Sequence, residues 1–214
     1  LVADGMGGAQ AGEHASRITA DTVAAQIRQA ASLSPEALVS AVHAANSAVM
    51  DAAASNARLE GMGTTVVAAL DCPAVNGAAD HNLSIVSVGD SRAYLFDGAV
   101  VTEVTDDQTW VNEIGRKLGL DDQQLRTHPM RHVLTMAVGV SSPLRVNRYS
   151  LKMSAGMEVL LCSDGLHGVV PQSEIDRLLQ DNASTLESKC RNLIQSAIAR
   201  GAPDNVTVLI LRSV

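Results

Sequence analysis

Apolar residues recur along the chain first with a helical period and then with the period of strands. Two alanine-rich stretches near the start, residues 11–31 and 35–59, have helical spacing. Ser34-Pro35-Glu36 supplies an N-cap, a first-turn proline and a first-turn acid, so we predict that the second helix begins there. Two neighbouring helices of this length are expected to pack as an antiparallel pair.

β-Branched and apolar runs dominate the rest of the chain. The predicted strands cover residues 64–70, 83–89, 92–96, 99–104, 132–137, 146–151, 159–162 and 206–211. Short connections within 83–104 predict a meander. Two further helices, near 173–179 and 185–200, precede the last strand, and Ser184 with Glu187 forms a candidate capping box.

The order of elements is two helices, many strands, two helices and one strand. Runs of strands between helix pairs are typical of an α+β fold, with a largely antiparallel sheet or sandwich covered by helices. No repeat, low-complexity segment or linker divides the sequence, so residues 1–214 are predicted to form a single domain. Residues 105–130 have a weak apolar pattern and are predicted to form an irregular surface insertion, a kind of segment that often borders a site.

Four aspartates stand where apolar runs end or begin. Asp4 and Asp164 are each followed by glycine, Asp90 ends one strand-like run and Asp204 lies just before another. Glycine lets the backbone approach a bound ion closely, and a packed sheet could bring the four carboxylates to one rim. Carboxylates and carbonyl oxygens are the ligands of magnesium, manganese and calcium. The pattern therefore predicts a hard-cation site, with phosphoester hydrolysis as its leading use.

Asp97-Gly98 repeats the same pair of residue types in a different setting. It lies between two strand-like runs, which is the sequence signal of a two-residue type I′ hairpin. Because a turn explains this aspartate fully, Asp97 is excluded from the predicted site.

Composition narrows the classes of partner. The 214 residues carry a net charge of −7, which argues against broad binding to nucleic acid or to anionic membranes. No run of 18 apolar residues occurs, so no membrane span is expected. Three cysteines without metal-type spacing suit a reduced, cytoplasmic protein, and we expect a monomer. The sequence begins with leucine inside a strand-like run, so an N-terminal segment is expected to be missing.

Several motifs resemble, in order, those of the bacterial type 2C, metal-dependent protein serine/threonine phosphatases. They are Val2-Ala3-Asp4-Gly5-Met6-Gly7-Gly8, Gly63-Thr64-Thr65, Val88-Gly89-Asp90-Ser91-Arg92, Leu161-Cys162-Ser163-Asp164-Gly165 and Asp204-Asn205-Val206-Thr207. The resemblance covers essentially the whole chain. It implies two packed antiparallel β-sheets flanked by pairs of antiparallel helices, with residues 105–130 as a flap-like insertion.

The same resemblance implies hydrolysis of phosphoserine and phosphothreonine in proteins. A hydroxide between two Mn²⁺ or Mg²⁺ ions would attack phosphorus in line, without a phosphoenzyme. Asp4 would bridge both ions, the Gly5 carbonyl would serve the second ion, and Asp164 and Asp204 would hold the first. Asp90 resembles the ligand of a third, weaker ion. The implied partners are phosphoproteins, with a cognate serine/threonine kinase as a candidate.

The sequence departs from the family pattern at three places. Met6 stands where eukaryotic relatives carry a histidine proposed as general acid, and Gln108 stands where relatives often have histidine. The family's N-terminal segment, with a phosphate-binding arginine and an acidic ligand, has no counterpart in these residues. A catalytically weak or inactive phosphoprotein-binding module of the same fold is therefore the alternative function. His128 and His132 border the insertion and are not expected to meet substrate.

Overall fold

The computed structural model describes residues 1–73 and 81–214. The helices are α1 (Ala9–Gln29), α2 (Pro35–Ser55), α3 (Asp122–Thr127), α4 (Asp164–His167), α5 (Gln172–Leu179) and α6 (Leu186–Ala199). The strands are β1 (Gly5–Met6), β2 (Gly63–Thr64), β3 (Val66–Cys72), β4 (His81–Val88), β5 (Arg92–Phe96), β6 (Val101–Glu103), β7 (Asn147–Met153), β8 (Glu158–Cys162) and β9 (Val208–Arg212). A 3₁₀ turn (Ala57–Leu59) follows α2, and a π-helical turn (Val111–Gly115) lies in the insertion.

Two antiparallel sheets pack face to face, which confirms the α+β fold. The first has the strand order β3-β4-β7 and the second β6-β5-β8-β9, while β1 and β2 form a short ribbon. Alternate residues of β3 face opposite sides, as the pleat of a strand requires. Val66 and Ala68 pack among the side chains of α1 and α2, whereas Val67 packs among those of the second sheet.

The second sheet likewise packs against helices on one face and against the first sheet on the other. Leu160 and Cys162 of β8 pack against α4, α5 and α6, and Val159 and Leu161 face the first sheet. The molecule is therefore layered as helices, sheet, sheet and helices. None of the helices in the two described ranges is long and apolar enough to cross a membrane.

The predicted meander over residues 83–104 is wrong at its first connection. β4 and β5 belong to different sheets, and only β5 and β6 pair as a hairpin. Gly89 has φ +93°, a left-handed conformation that lets the chain turn sharply between the sheets. Residues 132–137 are also not a regular strand, since Leu134 makes only an isolated bridge, to Thr109.

Local turn and cap chemistry differs from expectation at three points. The hairpin at Asp97 has a four-residue loop, because Phe96 pairs with Val101. The N-cap of α6 is Thr185, whose hydroxyl oxygen accepts from a backbone N–H at 3.1 Å, so the predicted capping box at Ser184 is wrong. The insertion contains α3, which the sequence analysis missed although Asp121 and Gln124 form a genuine capping box there.

Candidate metal-dependent active site

The predicted site residues converge on one cavity of about 280 Å³. Its lining consists of Asp4, Gly5, Met6, Thr65, Asp90, His132, Leu134, Asp164 and Asp204. All four aspartates that stand at the ends of apolar runs are present, although they come from four separate parts of the sequence. Asp97 is exposed in the β5–β6 loop and does not line this cavity.

Paired threonines fix the backbone of Asp4. The Asp4 N–H donates to the hydroxyl of Thr65 at 3.2 Å. Its carbonyl accepts from the Thr65 N–H at 2.9 Å and from the Thr64 hydroxyl at 2.8 Å. Thr65 in turn shares a 2.7 Å hydrogen bond with the buried hydroxyl of Ser91. The backbone of Asp4 is thus fully occupied, and its carboxylate is left to face the cavity.

A backbone-to-backbone contact positions Gly5. A Cβ placed on Gly5 would lie 2.0 Å from the carbonyl oxygen of Gly12, in the first turns of α1. A Cβ on Gly12 would lie 2.7 Å from the Gly5 carbonyl oxygen. Since real Cβ atoms do not approach backbone so closely, both positions require glycine. The contact locks the candidate carbonyl ligand against the start of the helix.

Asp164 and Asp204 are brought together by the residues beside them. The Ser163 hydroxyl donates to the Asn205 carbonyl at 3.3 Å and accepts from the Thr207 N–H at 3.1 Å, which ties the end of β8 to the start of β9. A Cβ on Gly165 would lie 2.1 Å from the Asn205 carbonyl oxygen. The backbone of Asn205 therefore helps to hold the two segments together.

Asp90 lies on the sharp connection between the sheets, and a histidine binds its backbone carbonyl. The Nε2–H of His167 donates to its carbonyl oxygen at 3.0 Å. Burial, together with the charge of Arg92, lowers the pKa of His167 to about 4, so this ring is neutral at pH 7. The sequence analysis gave His167 no role. The only local signal for it is its position three residues after Asp164.

Gln108, in the insertion, is hydrogen-bonded to the turn between β4 and β5. Its side-chain oxygen accepts from the Gly89 N–H at 2.9 Å, and its backbone N–H donates to the Gly89 carbonyl at 2.9 Å. Its side-chain amide also donates to the Arg145 carbonyl at 3.0 Å. The structure shows a buried clamp next to Asp90.

Arg92 is held in an ion pair within the fold. Its Nε and Nη2 atoms donate to the two carboxylate oxygens of Asp107 at 2.9 and 2.7 Å. A two-bond pair of this kind fixes both side chains. It leaves neither Arg92 nor Asp107 free to serve as a metal ligand or a phosphate clamp without breaking it.

The electrostatics of the cavity favour a bound cation. Burial and the neighbouring Asp164, with a smaller contribution from Asp204, raise the pKa of Asp4 to about 7. Burial and repulsion from Asp164 and Asp107 raise the pKa of Asp90 to about 7. The Oδ1 atom of Asp164 is buried without a hydrogen-bond partner. An unpartnered buried carboxylate oxygen among like charges is costly, and a divalent cation would remove that cost.

The carboxylates do not form a ready-made cage. Among the described residues, no group of three or more histidine, cysteine, aspartate or glutamate side chains is arranged to hold a metal ion by itself. The donor set consists of separated carboxylates and the Gly5 carbonyl around a polar cavity. Hard cations accept such a set because water completes their coordination shell.

One histidine is placed differently from expectation. His132 was not expected to meet substrate, yet its side chain lines the aspartate cavity. The bridge between Thr109 and Leu134 brings this segment to the site. Sequence spacing could not reveal this, because the pairing joins two irregular segments that have no strand pattern.

Comparison with known proteins agrees with the geometry. Residues 1–200 match the family model described as protein phosphatase 2C. The serine/threonine phosphatase stp of Listeria innocua is 32% identical over 99% of this chain and 82% of its own length. The crystal structure of the serine/threonine phosphatase Stp1 from Staphylococcus aureus has a TM-score of 0.85 and 30% identity, covering 99% of this chain and 82% of that one.

A third relative carries metal. The catalytic domain of the serine threonine protein phosphatase PstP, solved in complex with two manganese ions, has a TM-score of 0.80 and 31% identity over 97% of this chain and 84% of that one. The family match spans nearly the whole sequence, and the fold is the one that the family resemblance implied. The chain belongs to the protein phosphatase 2C family and is a protein serine/threonine phosphatase.

Proposed function

We propose that this protein hydrolyses phosphoserine and phosphothreonine residues with the help of Mn²⁺ or Mg²⁺ ions. Asp4, the Gly5 carbonyl, Asp164 and Asp204 would hold two ions, and Asp90 would hold a third. Such ions, when bound, neutralise charge on the phosphate oxygens and lower the pKa of water. The manganese in the PstP structure supports this choice of ion.

The observation that carries the proposal is the set of four aspartates on the walls of one small cavity. A phosphate monoester is itself anionic, so bare carboxylates would repel it. An acidic cavity that accepts a phosphate must therefore contain cations. The buried, unpartnered oxygen of Asp164 supports the same conclusion from the protein side.

The residues around the cavity favour direct attack by water on phosphorus. The Thr65 hydroxyl is the only side-chain hydroxyl in the lining, and Ser91 and the Asp4 N–H occupy it. No cysteine lines the cavity, and Cys162 of β8 is fully buried. The aspartates are assigned to the cations, so no hydroxyl, thiol or carboxylate of this lining is left free to form a phosphoenzyme. In-line displacement by water is therefore the course that we propose.

The substrates proposed on this basis are phosphoproteins, and a serine/threonine kinase that produces them is the proposed cognate partner. The relatives named as serine/threonine phosphatases support the substrate class.

The test is hydrolysis of a phosphothreonine peptide by the purified protein, followed as released phosphate. Activity should require added Mn²⁺ or Mg²⁺, disappear with a chelator and return when excess metal is restored. Turnover that persists in the chelator would contradict the proposal. Binding of the phosphopeptide without any turnover at saturating metal would favour the alternative of a phosphoprotein-binding module.

A further inference from the structure

Cleavage of a phosphoserine or phosphothreonine ester requires a proton at the oxygen that leaves. As the P–O bond breaks, its electron pair moves onto the side-chain oxygen of serine or threonine. An alkoxide is a strong base and leaves poorly, so a positioned acid that protonates it accelerates the step about 10²–10⁴-fold. The proposed function names no side chain that supplies this proton.

The cavity offers few groups that could supply it. Its aspartates are assigned to the cations, and the side chains of Met6 and Leu134 have no exchangeable proton. The Thr65 hydroxyl is held by Ser91 and by the backbone of Asp4. The remaining side chain in the lining is the imidazole of His132. Imidazole is the side chain that carries and releases a proton most readily near neutral pH.

His132 is also well placed to meet a departing side chain. It is solvent-exposed, and it lines both the aspartate cavity and an adjoining groove of about 580 Å³ that reaches Asp90 and Asp164 from the insertion. A peptide whose phosphate lies at the aspartates has to extend out of the cavity through an open side. His132 stands where the two spaces meet.

The backbone beside His132 is fixed although its side chain is exposed. The Trp110 N–H donates to the Val133 carbonyl at 2.8 Å, and the Thr135 N–H donates to the Gln108 carbonyl at 2.8 Å. These bonds frame the bridge between Thr109 and Leu134. They fix the backbone from which the imidazole of His132 extends, which limits where an acid on this segment can reach.

We propose that His132 is the general acid for the leaving group, an inference that rests on the proposed function. Water forms the new P–O bond as the bond to the serine or threonine oxygen breaks. The electron pair of the broken bond takes the proton from the His132 imidazolium, giving the free hydroxyl and inorganic phosphate. The attacking water releases its proton to solvent, and the neutral imidazole takes up a proton from solvent before the next turnover.

The experiment compares two substrates that differ in their need for an acid. The alkoxide of a phosphothreonine peptide must be protonated, whereas p-nitrophenyl phosphate releases a phenolate that is stable as an anion. His132→Gln should lower kcat on the peptide about 100-fold or more and leave kcat on p-nitrophenyl phosphate within about 3-fold of wild type. Imidazole added to His132→Ala should restore part of the peptide turnover.

The matched control is His128→Gln. His128 lies four residues earlier, stacks on Trp110 with ring centroids 4.5 Å apart and does not line the cavity. This variant should change the two substrates by the same factor. The rise in melting temperature on adding Mn²⁺ should be the same in His132→Gln and wild type, because His132 is not a proposed ligand.

Three outcomes are informative. An equal loss on both substrates in His132→Gln would overturn the acid role and make His132 a structural or substrate-binding residue. Unchanged turnover of the peptide would overturn it as well. If the wild-type protein turns over neither substrate with Mn²⁺, the proposed function itself fails, and the acid role fails with it for that separate reason.

Discussion

The Asp-Gly pairs at positions 4–5 and 164–165 differ from the pair at 97–98 in what surrounds the glycine. At Gly5 and Gly165 an added Cβ would collide with a carbonyl oxygen from another part of the chain, at 2.0 and 2.1 Å. At Gly98 nothing lies within 4 Å of the added Cβ. The glycines of the first two pairs pack tightly against backbone from elsewhere in the chain, whereas Gly98 lies in an open loop.

The aspartates differ in the same way. Asp97 is exposed, and its carboxylate accepts from the N–H groups of Ala99 and Val100 at 2.9 and 2.8 Å, which lowers its pKa. The backbone of Asp4 is held by threonines, and burial together with the neighbouring carboxylates raises the pKa of its side chain. Two residue types that form an ordinary turn in one place therefore line the proposed cation site in another. The difference lies in the close backbone contact across the chain.

The largest effect is expected from Asp164→Asn. This change removes one charge from the proposed cation site and should lower kcat/KM for a phosphopeptide by at least about 100-fold. The variant should also lose most of the rise in melting temperature that Mn²⁺ gives to the wild type. A variant that keeps both properties would remove Asp164 from the proposed ligand set.

Gly5→Ala should have the largest effect on folding. The new methyl group would overlap the backbone of Gly12, and overpacking against rigid backbone costs about 3 kcal/mol or more. For a chain of this size, that cost lowers the melting temperature by about 6–12 °C in a thermal unfolding scan. A shift below about 2 °C would show that α1 can move away from the strand.

Gly98→Ala should have a smaller effect on folding. Gly98 has φ +97°, so alanine there is strained by about 1–2 kcal/mol even though space is available. The expected fall in melting temperature is about 2–8 °C, with kcat/KM unchanged at 25 °C. If Gly98→Ala destabilised the protein as much as Gly5→Ala, the close contact at Gly5 would not be what distinguishes the two pairs.

The smallest effect is expected from Asp97→Asn. The amide oxygen of asparagine can still accept from the N–H groups of Ala99 and Val100, so the loop should persist. Phosphopeptide kinetics should match those of the wild type, in contrast to Asp164→Asn. Equal losses in the two variants would contradict the division between a turn aspartate and a site aspartate.

Local pattern was enough to predict an α+β fold with antiparallel strands covered by helices and to single out the aspartates, whereas the two packed sheets were implied by the family resemblance. An apolar run with a strand period that ends in a polar residue identifies a strand end, and strand ends meet at the rim of a sheet. The helix pairs were also visible, because α2 begins with a serine cap and a first-turn proline. These features depend on neighbouring residues, so sequence alone reveals them.

The features that the sequence did not reveal depend on distant partners. The turn after β4 looks like a hairpin connection, but burial against two different helix layers places β4 and β5 in separate sheets. Lys189 occurs in a helix among polar residues, yet it is fully buried and binds Glu158 at 2.9 and 3.0 Å. No spacing rule marks a lysine for burial when its partner is 31 residues away in another element.

The paired glycines at 5 and 12 also limit which second mutations could repair a first one. A crowded core contact is usually relieved by shrinking the residue opposite. Here the residue opposite is already a glycine, and the colliding atom is its backbone oxygen. A search for suppressors of Gly5→Ala should therefore recover reversion to glycine or stabilising changes elsewhere in the protein, and no substitution at position 12.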